Sequence, residues 1–218
     1  MQELYSTQVS ETRSLEISKV LRNTYALLAL TVAFSALVSA LAVQLNVPYM
    51  GPWITLGVYI GLLFAVEKTK NSALGLVFVF ALTGWLGFTL GPILNFYLHT
   101  SGFEPILMAL GGTALIFFGL SGYILVTRKD MSFATGFLMT GIIVAFVAAI
   151  ANIFLQISGL AMAISCMFLF LSSGLIMWQT SAIIHGGERN YISATVTLYV
   201  MLYNIFTILL SFLGGSND

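Results

Sequence analysis

Charge is scarce in this sequence. Only 7% of its 218 residues are Asp, Glu, Lys or Arg, whereas soluble domains carry about a quarter. The eight basic and eight acidic residues cancel, so no net field draws the chain to nucleic acid. Cysteine is nearly absent: Cys166 stands alone, which leaves nothing for an internal disulfide framework or a cysteine zinc cluster. Within the apolar run AMAISCMFLFL it reads as a small buried hydrophobe. There are two histidines, His99 and His185, and no HExxH, paired intramembrane aspartates or phosphate loop, so enzyme chemistry has little to build on. Ser172 and Ser173 share a segment with His185, but about 20 Å of helix keeps Ser172 and His185 apart. The first 22 residues lack the basic start and short apolar core of a cleavable signal peptide and are expected to remain on the protein.

What fills the sequence is hydrocarbon. Hydrophobic residues make up 59% of the chain, arranged in continuous apolar stretches rather than the alternating pattern of a membrane barrel. Seven runs approach the roughly 20 helical residues that a bilayer core requires. They cover Thr24 to Leu45, Pro52 to Val66, Ala73 to Tyr97, Pro105 to Thr127, Phe133 to Gln156, Leu160 to Ile184 and Ile192 to Leu213. The second is the shortest. The fold class expected is an all-α integral membrane protein of one domain: a polar tail over 1–22, a seven-helix transmembrane domain over 23–213 and a short tail over 214–218.

The loops divide by charge. Arg13, Lys19, Arg22, Lys68, Lys70, Arg128, Lys129 and Arg189 all fall on one side, while the opposite loops QLNVPYMG, LHTSGFE and QISG carry no lysine or arginine. The positive-inside rule makes the basic side cytoplasmic, which puts the N-terminus inside, the C-terminus outside and makes the number of spans odd. Local punctuation agrees. Asn71 or Ser72 can cap the third helix, Pro105 suits a first turn, and Asp130 or Ser132 can cap the fifth.

Inside the apolar runs no acid is found at mid-depth, so neither the oxygen ligands of a calcium site nor the titratable series of a proton relay is provided. The polar groups that are provided are amides: Asn95, Asn152, Gln156, Gln179 and Asn204. They either hydrogen-bond between helices or line a wet cavity, with Asn204 the best placed. Gly57 and Gly61, Gly87 and Gly91, Gly111, Gly112, Gly119 and Gly122 have the spacing of close helix packing, read as packing within the chain. Pro92 removes a helical hydrogen bond and is expected to kink or break the third helix.

The stretches LTGWLGFTLGPILN, ALGGTALIFFGLSGYILVTRKDMSF and SATVTLYVMLYNIFTILLSFLG together resemble the Bax inhibitor-1 family of seven-helix membrane proteins. KVLRNTYALLALTVAFSA, GPILNFYL and IIHGGERNYI are similar to its proteobacterial branch, which includes a partner and modulator of the membrane protease FtsH. The resemblance implies a bundle with a central seventh helix and a bacterial inner-membrane location. In calcium-leak members of the family an aspartate pair in the sixth and seventh helices forms a pH-responsive latch. Here Gln179 and Met201 stand at those positions, and neither a glutamine amide nor a methionine can titrate as a carboxylate does. The resemblance therefore implies a regulator, and possible slow substrate, of FtsH-dependent membrane proteolysis that acts by protein contact. Arg13, Lys19 and Arg22 mark the tail that would meet the partner, and no cofactor, metal or catalytic site is implied. The rival reading is a calcium or cation leak that lacks the aspartate pair.

Overall fold

The structure, a computed structural model, describes the backbone of residues 2–215 and the side chains of residues 14–215. Seven α-helices follow one another: α1 (Gln2–Gln44), α2 (Pro52–Thr69), α3 (Ala73–Thr100), α4 (Glu104–Thr127), α5 (Thr135–Leu155), α6 (Ser158–Ile184) and α7 (Tyr191–Gly214), with a 3-10 turn at Ser132–Ala134 before α5. These are the seven apolar runs of the sequence, displaced by a few residues at their ends, except that α1 starts at Gln2 and not at Thr24. Six are long and apolar enough to cross a membrane. The other is α2, whose 18 residues include Glu67 and Lys68 at the end. The segment read as a separate polar tail is helical and continues into α1, so Glu16, Lys19 and Arg22 lie on the same helix as the first apolar run.

The turns follow local rules. Pro52 and Pro105 stand in the first turns of α2 and α4, where a missing N–H costs no helical bond. Asp130 Oδ1 accepts the Ser132 N–H at 2.8 Å and opens the 3-10 turn. Ser72 Oγ donates back to the Thr69 carbonyl at 2.9 Å and so belongs to the end of α2 more than to a cap on α3. Helix α3 runs through Pro92 without interruption.

The chain forms two compact units, one from residues 1–99 and 183–199 and the other from residues 100–182 and 200–218. In the first, the buried residues of α1 are Thr24, Leu27, Leu28, Thr31, Ser35, Ser39 and Ala42, a three-and-four spacing that places them along one face. Five of these seven are Thr, Ser or Ala, whereas Leu30, Leu37 and Leu41 are exposed. Small residues inside and large apolar residues outside invert the pattern of a soluble helix and suit hydrocarbon surroundings.

Helix α3 comes close to that small face. A Cβ on Gly87 would stand 2.4 Å from the Ser35 carbonyl oxygen, and one on Gly91 would stand 2.4 Å from Ala42 Cβ. Only glycine permits this approach. Phe34 and Phe80 meet edge to face at 5.4 Å beside it, and Trp85 Nε1 donates to the Thr55 carbonyl at 3.3 Å, joining α3 to α2. The other glycine pairs behave differently. Nothing lies within 4 Å of a Cβ placed at Gly57, Gly61, Gly111, Gly119 or Gly122, while Gly112 meets Leu209 at 3.0 Å. Of the spacings read as internal packing, the one at Gly87 and Gly91 is used for it and Gly112 also packs within the chain, while Gly57, Gly61, Gly111, Gly119 and Gly122 leave their open side uncovered.

In the second unit Leu171 and Leu138 fill the spaces left by Gly141 and Gly174, locking α5 and α6 together. Trp178 Nε1 donates to Thr135 Oγ1 at 2.7 Å. Ser181 Oγ accepts the Met131 N–H at 2.9 Å and donates to the Lys129 carbonyl at 3.1 Å, which pins the α4–α5 connection onto α6. Cys166 is exposed rather than buried, because its turn of α6 faces away from the packed side occupied by Ile164 and Leu171.

Candidate functional site

The residues marked out in the sequence lie at several places. Gln179 is 2% exposed and Met201 7% exposed. The Gln179 Nε2 has no hydrogen-bond partner; on the next residue of α6, Thr180 Oγ1 lies 3.4 Å from Ser121 Oγ of α4. The two positions expected to correspond to the family's aspartate pair are thus a buried amide and a buried thioether. Asn95 Nδ2 donates to Asn46 Oδ1 at 2.9 Å, tying the ends of α3 and α1. Asn152 Oδ1 accepts the Ile157 N–H at 3.1 Å, and Gln156 takes the left-handed conformation (φ 53°) that ends α5. These amides finish helices and join their ends. Asn204 is half-buried on α7, and its carbonyl accepts from Thr207 Oγ1 at 3.1 Å. Pro92 borders a void of about 10 Å³ with Thr55, Phe88 and Thr89, close to the smallest space that holds one water.

An open space of useful size lies at the basic end of the first unit. A cleft of about 390 Å³ is lined by Glu16, Ile17, Lys19, Val20 and Asn23 of α1 and by Gly186, Glu188, Arg189 and Tyr191 around the α6–α7 loop. Two sequence features set the loop. Gly186 adopts φ 76° and donates its N–H to the Ile183 carbonyl at 3.1 Å, closing α6 in a conformation natural to glycine. Asn190 then caps α7, its Oδ1 accepting the N–H groups of Ile192 (2.9 Å) and Ser193 (3.1 Å). The same side chain reaches the α2–α3 turn, where Nδ2 donates to the Lys70 carbonyl at 3.0 Å and to Asn71 Oδ1 at 2.8 Å. One asparagine therefore starts a helix and holds the α2–α3 and α6–α7 loops together. An Asn directly before an apolar run is a helix-start signal, but its second contact is beyond any local pattern.

Deeper in this unit, the Tyr199 hydroxyl of α7 hydrogen-bonds Ser35 Oγ of α1 and the Thr83 carbonyl of α3, the latter at 3.2 Å. Thr195 Oγ1 contacts the Thr24 carbonyl at 3.2 Å. Lys70 pairs with Glu67, and this hydrogen bond holds its ammonium above the ordinary lysine value, so it stays charged on the basic side. Lys19 and Arg22 are exposed, and the Arg13 side chain lies outside the described residues. No group of three or more His, Cys, Asp or Glu side chains stands together among the described residues.

Comparison with known proteins accords with this arrangement. The profile of the family described as "Inhibitor of apoptosis-promoting Bax1" matches residues 17–218. The "Modulator of FtsH protease YccA" of Escherichia coli K12 is 53% identical over 98% of this chain and 98% of its own. The "Inner membrane protein YccA" of Escherichia coli O6:H1 is similar to the same extent. An "Uncharacterized membrane protein" of Vibrio cholerae is 41% identical over 99% of this chain and 97% of its own. With the profile and the relatives each covering nearly the whole length, the chain belongs to the Bax inhibitor-1 family.

Proposed function

We propose that this chain is a multi-pass inner-membrane modulator of FtsH-dependent membrane proteolysis that acts by protein contact and not by catalysis. The observation that carries the reading is the end-to-end 53% identity to a protein named for modulating that protease. The structure supports it on the cytoplasmic side. Glu16, Lys19 and Arg22 extend α1 beyond the apolar run that starts at Thr24, giving the protease a helical segment to engage. Glycine-mediated packing of α1 on α3 provides a body that resists extraction. A body that occupies the protease and releases slowly competes with other clients.

The membrane arrangement belongs to the same proposal: seven spans, a cytoplasmic N-terminus, a periplasmic C-terminus and a central α7. Its support is the location of all eight basic residues before the first apolar run or between alternate apolar runs. Omitting α2 would move Lys68 and Lys70 to the wrong side. The leak reading has weaker support, because Gln179 and Met201 are buried and neither carries a titratable group.

Co-purification of the full-length chain with FtsH, together with the degradation rate of a second membrane client, tests the proposal. Retention of FtsH and slower client turnover are expected, with both reduced when residues 1–22 are removed. A full-length chain that neither retains the protease nor changes turnover sinks it. Proteoliposome flux tests the leak: pH-dependent calcium entry that survives Gln179→Ala and disappears with Asn204→Ala would favour it.

A further inference from the structure

The cytoplasmic cleft contains charge of both signs. Glu16 and Lys19 approach it from α1, and Glu188 and Arg189 from the α6–α7 loop. Among the described residues the one ion pair is Lys70–Glu67, so none of these four neutralises another. Glu188 Oε1 accepts the Asn190 N–H at 2.8 Å and Arg189 Nε donates to the Gly186 carbonyl at 3.5 Å. Both contacts fix the loop, and the Glu188 carboxylate also lies within the field of the Lys70 ammonium. Ile17 and Val20 add an apolar wall, and among the described residues Asn23 and Tyr191 also line it. Thr24, where the apolar run of α1 begins, is buried next to Asn23, and Ile192, where that of α7 begins, is buried next to Tyr191. The cleft is therefore at the depth where phospholipid headgroups lie, the region in which tyrosine also concentrates.

We infer that this cleft binds the headgroup of a zwitterionic phospholipid with a primary amine, phosphatidylethanolamine in class. Lys19 and Arg189 supply charged donors for the phosphodiester oxygens. Glu16 and Glu188 supply acceptors for a primary ammonium, which has three N–H donors where a quaternary ammonium has none. An anionic headgroup would satisfy the basic pair but face the carboxylates of Glu16 and Glu188, the latter already within the field of the Lys70 ammonium. The cleft volume of about 390 Å³ is within the range of small-molecule sites. An intact lipid is favoured over a soluble zwitterion by the apolar wall and by the two span starts beside the cleft. The inference is independent of the protease reading and is measured with no protease present.

Full-length protein in mild detergent, offered phosphatidylethanolamine, phosphatidylglycerol or phosphatidylcholine and read by native mass spectrometry, tests it. Phosphatidylethanolamine should be retained about tenfold over the other two, the scale expected for losing one charge-assisted contact. Lys19→Ala with Arg189→Ala should lower its retention about tenfold. Glu16→Gln with Glu188→Gln should lower it similarly while raising retention of phosphatidylglycerol, and Lys68→Ala should change nothing. Because the two double variants move selectivity in different ways, general misfolding cannot mimic the result. Equal retention of the three lipids, or indifference to both double variants, overturns the inference. Equal competition by soluble glycerophosphoethanolamine overturns the assignment to a lipid, and a photo-crosslinker at Asn23 that captures only protein in cells overturns it in favour of a polypeptide occupant.

Discussion

At the scale of single residues, the structure separates side chains and glycines that look alike in the sequence. Gly57 and Gly87 each open a Gly-xxx-Gly spacing, yet a Cβ at Gly87 meets the Ser35 backbone at 2.4 Å while one at Gly57 meets nothing. We expect Gly87→Ala to destabilise the protein by about 1–3 kcal/mol, the usual penalty of overpacking against backbone. Gly57→Ala should be neutral or slightly stabilising, since alanine is the better helix former. Thermal unfolding midpoints in detergent check both. Gln179 offers a second contrast. A buried amide whose Nε2 has no acceptor contributes little and carries a desolvation penalty. Gln179→Met, close in volume, should leave the midpoint unchanged or raise it; a large drop would mean that the amide holds a stabilising partner.

At the scale of elements, the loops on the basic side depend on a few polar contacts that cross between helices. Asn190 caps α7 and also holds the α2–α3 turn through Lys70 and Asn71. Asn190→Ala should therefore cost about 1–2 kcal/mol, about 1 of it from the cap alone. Asn190→Asp keeps the accepting oxygen and loses the Nδ2 donor, so it should recover the cap portion only. Limited proteolysis of the α6–α7 loop, compared with the unfolding midpoint, separates the two contributions. Ser181 does the corresponding work on the α4–α5 connection. Its loss in Ser181→Ala leaves the part-buried Met131 N–H without this acceptor, and a cost of about 1–2 kcal/mol is expected.

For the whole molecule the deciding property is the charge pattern. An odd number of spans with all lysine and arginine inside predicts that alkaline phosphatase fused after Asp218 or at Met50 is active and that fusions at Lys70 and Gly187 are inactive. Activity at Lys70 would remove α2 from the spans. In the proposed orientation the extension of α1 and the α6–α7 loop are in reach of a cytoplasmic protease. Removal of residues 1–22 should accordingly slow degradation of the chain by FtsH while leaving its membrane insertion unchanged, measurable by pulse-chase with fractionation.

The sequence by itself determined the helical membrane class and the positions of the seven helices to within a few residues, except that α1 starts at Gln2 and not near Thr24. These are properties of continuous runs: hydropathy, length and charge add along the chain and need no knowledge of neighbours. It also showed that the positions of Gln179 and Met201 hold no acid, because residue identity is enough for that. Tertiary structure alone decided the roles of particular side chains. That Gly87 and Gly91 pack on α1 while Gly57 and Gly61 face outward, that Cys166 is exposed, and that Asn95 and Asn152 finish helix ends depend on which face each helix turns to its neighbours. The mixed-charge cleft was the least legible feature of all. Its walls come from residues 16–23 and 186–191, and no local pattern reports that two segments so far apart in the chain converge.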